Sequence, residues 1–101
     1  MKTPSYVSFQ ANQRLIGLPA KNIIERNPEK TIYDIKRMIG REYSDNNLQK
    51  DMKFWPFKVI NKSNQPLIQI DINEETNFFL PQQISAMIFA HLKKIAEEHT
   101  G

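Results

Sequence analysis

Phe57-Lys58-Val59-Ile60, Ile68-Gln69-Ile70-Asp71-Ile72 and Asn77-Phe78-Phe79-Leu80 form the stretch that decides the fold. The middle segment alternates strictly between apolar and polar side chains, the pattern of a strand with one buried face. Lys62-Ser63-Asn64-Gln65 and Asn73-Glu74-Glu75 separate the three segments and carry turn formers. Two successive hairpins predict a three-stranded antiparallel meander with one face toward a core.

Pro81 follows this meander, and beyond it Ile84, Met87, Ile88, Leu92 and Ile95 recur at helical spacing. They predict a long amphipathic helix running to about Glu98, with Phe89 off the main stripe. So wide an apolar arc suits a helix that touches two neighbours. Working toward the N-terminus, Asp45 opens a short helix whose Leu48, Met52 and Trp55 share a face, and Pro56 ends it. Thr31-Ile32-Tyr33-Asp34 reads as another helix start, with Thr31 as cap and Asp34 as a partial capping box. Ile32, Ile35 and Ile39 then lie on one side, and Gly40 stops the helix. Tyr6-Val7-Ser8-Phe9 and Arg14-Leu15-Ile16-Gly17 read as a strand and its return. Pro19 permits a short helix through Ile23-Ile24, which Asn27-Pro28 terminates. The predicted class is α+β: a small antiparallel sheet with helices packed against it.

At 101 residues the chain fits one compact unit, and 40% apolar residues can fill a core. No apolar run approaches the roughly 18 residues of a membrane span, and the polar start Met1-Lys2-Thr3-Pro4-Ser5 is not a signal peptide. With no cysteine, disulfides, thiol nucleophiles and cysteine-based zinc sites are excluded. The charge is +3 from 14 basic and 11 acidic residues, and the longest basic run is Lys93-Lys94. A nucleic-acid binder concentrates its cations on one stripe, so nucleic acid is not the expected partner. The glycines are Gly17, Gly40 and Gly101, far apart from one another. A phosphate-cradling loop needs clustered glycines, so this stretch alone builds no nucleotide loop.

Residue pattern leaves few candidates for chemistry. Lys36 reads on pattern as a lysine whose stem lies along an apolar stripe; alternatively, Lys36-Arg37 reaches phosphates from a helix. His91 has no acid at helical spacing and reads as a packed or partly exposed histidine. Glu74-Glu75 and Glu97-Glu98 read as solvated pairs rather than an acid/base couple. Asn61-Lys62-Ser63 is a glycosylation triplet of a kind common by chance.

Whole strings are more specific. Thr3-Pro-Ser-Tyr-Val-Ser-Phe9, Arg14-Leu-Ile-Gly17, Ala20-Lys-Asn22 and Asn27-Pro28 follow one another. Thr31-Ile-Tyr-Asp-Ile-Lys-Arg-Met-Ile-Gly-Arg41, Asp51-Met-Lys-Phe-Trp-Pro-Phe-Lys-Val59 and Ile84-Ser-Ala-Met87 continue the series. In order and spacing the chain resembles the 70-kDa heat-shock (DnaK-type) chaperone family, along essentially its whole length. The match is to the outer subdomain of the first lobe of the ATPase domain.

The resemblance implies an actin-like fold in which two lobes close over Mg-ATP, with residues 1–101 as a single subdomain forming one wall of the cleft. It implies a piece of an ATP-dependent chaperone, beginning at an added Met1, with the glycine loops before and after it. Lys36 matches the family's catalytic lysine, which contacts the γ-phosphate and orients the attacking water. Arg37 matches an arginine facing the cleft near the nucleotide. Lys21 matches a lysine that pairs with an acid on the opposite lobe and latches the cleft. Trp55 matches a mainly structural tryptophan. Pro19, Gln82-Gln83, His99-Thr100 and the Lys62–Pro66 hairpin depart from the family pattern, away from those positions.

The implied partners are the remaining lobes, nucleotide-exchange factors and unfolded client proteins, with no nucleic acid and no membrane. The implied cofactors are ATP or ADP with Mg in the full-length parent, with none bound to the piece alone, and no metal site of its own. The isolated piece is expected to be inactive. The compartment is the cytoplasm or, alternatively, the endoplasmic-reticulum lumen. Two competing readings are a non-hydrolysing interaction module of a chaperone relative and a small basic nucleic-acid-binding domain.

Overall fold

The computed structural model describes residues 4–100, with side chains to residue 98. The readings at Met1, Lys2, Thr3 and Gly101, and at the side chains of His99 and Thr100, lie outside the described residues. Strands β1 (Val7–Phe9), β2 (Arg14–Ile16) and β3 (Thr31–Ile32) form one antiparallel sheet in the order β2-β1-β3. Strands β4 (Lys58–Lys62), β5 (Gln65–Ile72) and β6 (Glu75–Phe79) form a second, in the order β4-β5-β6. The α+β class and antiparallel pairing are as expected, but the pairing is divided between two sheets.

The meander follows the sequence pattern closely. Val59, Ile68 and Phe79 stand in one register row, and all three belong to the core or pack against it. Both hairpins turn on two residues with left-handed backbones: Ser63 and Asn64 at φ 51 and 63, Asn73 and Glu74 at φ 52 and 66. That geometry matches the twist of the flanking strands. Asn64 also ties its hairpin to the preceding loop: its carbonyl accepts from the Tyr43 N–H at 2.8 Å, and its amide donates to Glu42 at 2.8 Å. Pro66 is tolerated in β5 because pairing to β6 ends at Ile68, leaving β4 as its strand neighbour there.

Helix α1 (Leu18–Asn22) carries Pro19 in its first turn as predicted, but it ends before Ile23-Ile24. Helix α2 (Asn46–Met52) is capped by Asp45, whose carboxylate accepts from the Leu48 N–H at 2.9 Å. Trp55 lies beyond its end rather than on it, buried against Phe57. Helix α3 (Pro81–Thr100) buries Ile84 and Ile88 and leaves Phe89 and Leu92 exposed. Its start is closed by Gln83, whose side-chain oxygen accepts from the Leu80 N–H at 2.7 Å. That is half of a capping box, made by a glutamine at the third helical position.

The helix predicted from Thr31 does not form. Thr31-Ile32 pairs with β1 instead, Val7 opposite Ile32 and Ser8 opposite Thr31. The Thr31 hydroxyl bonds the Asn27 carbonyl at 2.7 Å and shares a 2.9 Å hydrogen bond with Ser8 Oγ, so it caps nothing downstream. A single 3₁₀ turn at Ile35–Arg37 follows. Ile35 and Met38 are buried, whereas Ile39, expected on the same face as Ile35, is exposed. A 3₁₀ turn repeats every three residues, so residues 35 and 38 share a face that 39 leaves. Gly40 ends the segment at φ 77; a Cβ there would meet open space, so conformation alone favours glycine.

Candidate functional site

The 3₁₀ turn places the two adjacent cations. Ile35 and Met38 anchor it in the core, and the intervening Lys36 and Arg37 are therefore directed outward. Its backbone is closed by the Arg37 N–H on the Asp34 carbonyl and the Met38 N–H on the Ile35 carbonyl, both at 2.9 Å. Across from it, Ile88, Phe89 and Leu92 of α3 form the facing wall of a groove of about 500 Å³. Lys36, Arg37, Asp34, Tyr33 and Tyr6 line the other side.

Lys36 is exposed and makes no ion pair or hydrogen bond among the described residues. It also borders a second depression on the far side of the turn, so the turn is a ridge between two hollows. Arg37 is held by Asp51 of α2 at 3.3 Å, in an exposed pair worth about 0–1 kcal/mol. A lysine at the rim of an apolar groove is a mobile positive charge that an anion can engage without first breaking an internal contact.

Lys21 does not line this groove. It lies in the last turn of α1 with its Nζ 6.0 Å above the centroid of the Tyr6 ring, at the limit of a cation–π contact. Tyr6 stacks on Tyr33 at 5.3 Å, Tyr33 meets Phe57 edge-on at 5.6 Å, and Phe57 stacks on Trp55 at 5.3 Å. Trp55 closes the series by donating its indole N–H to Asp34 Oδ2 at 3.1 Å. Thus Lys36 and Arg37 both line the groove, whereas Lys21 lies outside it, at one end of an aromatic series that ends on Asp34, the residue before their turn. Within that series burial, then the Asp34 carboxylate and Tyr6, raises the Tyr33 phenol above its usual value.

Sequence reasoning missed Tyr6, Tyr33 and Asp34 as parts of the site. The available signal was Thr31-Ile32-Tyr33, a β-branched and aromatic run ending on an aspartate, the residue type that tolerates a left-handed bend. The remaining candidates keep their commonplace readings: His91 is half-buried on α3, and Glu74, Glu75, Glu97 and Glu98 are exposed. Asn61 uses its side-chain oxygen to accept from the Asn64 N–H at 2.8 Å. Among the described residues no three His, Cys, Asp or Glu side chains converge on one point, and no helix is long and apolar enough to cross a membrane.

Comparison with known proteins covers the whole chain. The family model described as Hsp70 protein matches residues 1–101. Heat shock cognate 70 kDa protein 3 of Dictyostelium discoideum is 50% identical over 98% of the chain. A ribosome-associated molecular chaperone of Saccharomyces cerevisiae is also 50% identical over 98% of it. A heat shock 70 kDa protein of Emericella nidulans is 46% identical over the same share. The chain spans 16% of the length of the first two relatives and 15% of the third.

Proposed function

The chain belongs to the Hsp70 family, and from that premise we propose that it forms one wall of the nucleotide cleft of an ATP-dependent molecular chaperone. Residues 1–101 act as a single subdomain, within a longer protein whose other lobes hold most of the nucleotide. ATP supplies the phosphoryl group that is transferred to water. Lys36 presents its ammonium to the γ-phosphate, where negative charge must be stabilised, and orients the attacking water. Arg37 adds a second positive charge at the nucleotide side of the cleft. Lys21, at the rim, pairs with an acid on the opposite lobe and holds the cleft shut. Mg is held outside this segment, by groups elsewhere in the parent. Exchange factors that spread the lobes and unfolded clients are the partners of the whole protein. We assign it to the cytoplasm, in keeping with the ribosome association in the name of the yeast relative.

The observation that carries this reading is Lys36: an exposed cation with no partner among the described residues, lining a groove, in a segment matched by the family model. The donor set fits a phosphate, since the nearby Arg37 adds charge while its Asp51 partner is 3.3 Å away and weakly held. The test is single-turnover ATP hydrolysis by the full-length gene product with Lys36→Ala. Loss of one preorganised charge is expected to slow the reaction by roughly 10²–10³-fold, with little change in ATP affinity. Wild-type turnover in that variant, or lost binding with normal turnover at saturating ATP, refutes the catalytic role.

A further inference from the structure

The groove contains an acid that the proposed chemistry does not use. Asp34 directly precedes the 3₁₀ turn, and its backbone is left-handed, with φ 57 and ψ 29. Few side chains tolerate that conformation; glycine, asparagine and aspartate do so best. Its Oδ2 accepts the indole N–H of Trp55 at 3.1 Å. The donor is itself fixed: Trp55 is buried and lies nearly parallel to the buried Phe57, at 16°. The Asp34 carbonyl meanwhile accepts the Arg37 N–H at 2.9 Å, which closes the turn around Lys36.

Two supports therefore act on the backbone of Lys36. The core grips Ile35 and Met38, and the Trp55 indole grips Asp34. The Lys36 side chain makes no hydrogen bond or ion pair among the described residues, so no polar partner sets its direction and the backbone does. We infer that Asp34 is a positioning residue for Lys36: its carboxylate, anchored on the Trp55 indole, holds the left-handed bend that aims the turn into the groove. This rests on the catalytic reading of Lys36. It adds that the rate depends on a hydrogen bond two residues away, made by a group that need not touch the nucleotide.

The experiment uses the full-length gene product with Asp34→Gly, Asp34→Asn, Trp55→Phe, Lys36→Ala and the double variant Asp34→Gly/Lys36→Ala. Glycine accepts the left-handed backbone but removes the acceptor, so folding is preserved while the anchor is lost. Single-turnover hydrolysis should fall about tenfold, since small displacements of a catalytic group are costly, while the Kd for ATP stays within about threefold. Trp55→Phe removes the donor and should slow hydrolysis in the same direction. Asparagine keeps both bend and acceptor and should restore most of the rate. On the Lys36→Ala background, Asp34→Gly should add less than about twofold, because residues acting through one group are not additive.

A readout independent of turnover is the indole N–H resonance of Trp55 in the nucleotide-free protein. It should move upfield in Asp34→Gly and stay near its wild-type position in Asp34→Asn. Wild-type hydrolysis by Asp34→Gly with a displaced indole resonance overturns the inference and leaves the Lys36 reading standing. So does an Asp34→Asn variant as slow as Asp34→Gly, or a full additive loss in the double variant. An unmoved indole resonance in Asp34→Gly overturns the anchor itself. Wild-type hydrolysis by Lys36→Ala overturns the catalytic reading, and the inference with it.

Discussion

Replacing Thr31 by valine tests the element that delivers the site. β3 is two residues long and pairs with β1 alone. Thr31 and Ser8 are both 0% exposed, and their hydroxyls share a 2.9 Å hydrogen bond beneath the sheet. Thr31 also bonds the Asn27 carbonyl at 2.7 Å. Ser8 Oγ accepts further from the side-chain amides of Gln10 at 3.0 Å and Asn27 at 3.3 Å. Valine has the shape of threonine and favours strands, so neither a cavity nor lost propensity complicates the change. What goes is two hydrogen bonds at about 1 kcal/mol each, with a half-buried Asn27 carbonyl losing a partner. The expected loss is about 2 kcal/mol, or about 8–16 °C in Tm for a chain of this size. Urea unfolding of the 101-residue chain, followed by circular dichroism, measures it. Ser8→Ala in the same series supplies a double-mutant cycle, in which the combined loss should fall short of the sum. Thr31→Asp separates strand from helix: as a helix cap it would be nearly neutral, whereas a carboxylate buried in this sheet should cost at least about 3 kcal/mol. A Thr31→Val variant within about 0.5 kcal/mol of wild type, which is the usual range for surface changes, or a neutral Thr31→Asp, refutes the network argument.

Lys21→Glu in the full-length protein should speed ADP release by up to about tenfold, from loss of a rim pair worth about 0–1 kcal/mol plus new repulsion. The effect should shrink at high salt, and hydrolysis should be nearly unchanged; stopped-flow release of a fluorescent ADP at two salt concentrations checks both. Ile84→Ala should cost about 2–5 kcal/mol, because this side chain of α3 is fully buried in the core. Phe89→Ala, on a side chain 74% exposed, should change chain stability by less than about 0.5 kcal/mol; parallel melts of the two variants compare them. The hydrogen bond from the Leu48 N–H, with Arg41 nearby, holds the Asp45 carboxyl below its usual pKa. A depressed carboxyl pKa gives stability that is present above the unfolded value of about 3.9 and lost as pH falls through the folded value. Asp45→Asn keeps the capping oxygen and should flatten that part of the acid limb in urea midpoints taken between neutral pH and strong acid.

Local pattern was enough wherever a segment's own residues satisfy its backbone or bury one clear face. The alternation of Ile68, Ile70 and Ile72 determined the meander, because a strand slipped by one residue would turn all three to solvent. The spacing from Ile84 to Ile95 determined α3, and Asp45 determined the start of α2 through an oxygen within reach of its own third helical N–H. The strings around Thr31–Arg41 and Asp51–Val59 marked the family. The same Thr31–Arg41 string misled on conformation. Ile32, Ile35 and Ile39 fit a helical period, and in so short a run that period competes with the strand preference of Thr31-Ile32-Tyr33. Its fate was decided by partners distant in the chain: β1, which pairs with Ile32 and shares the Thr31 hydroxyl, and Trp55, which takes the carboxylate of Asp34. Only the tertiary structure supplies those partners. A hydrogen bond or a packed neighbour from elsewhere in the chain outweighs a helical spacing carried by three residues.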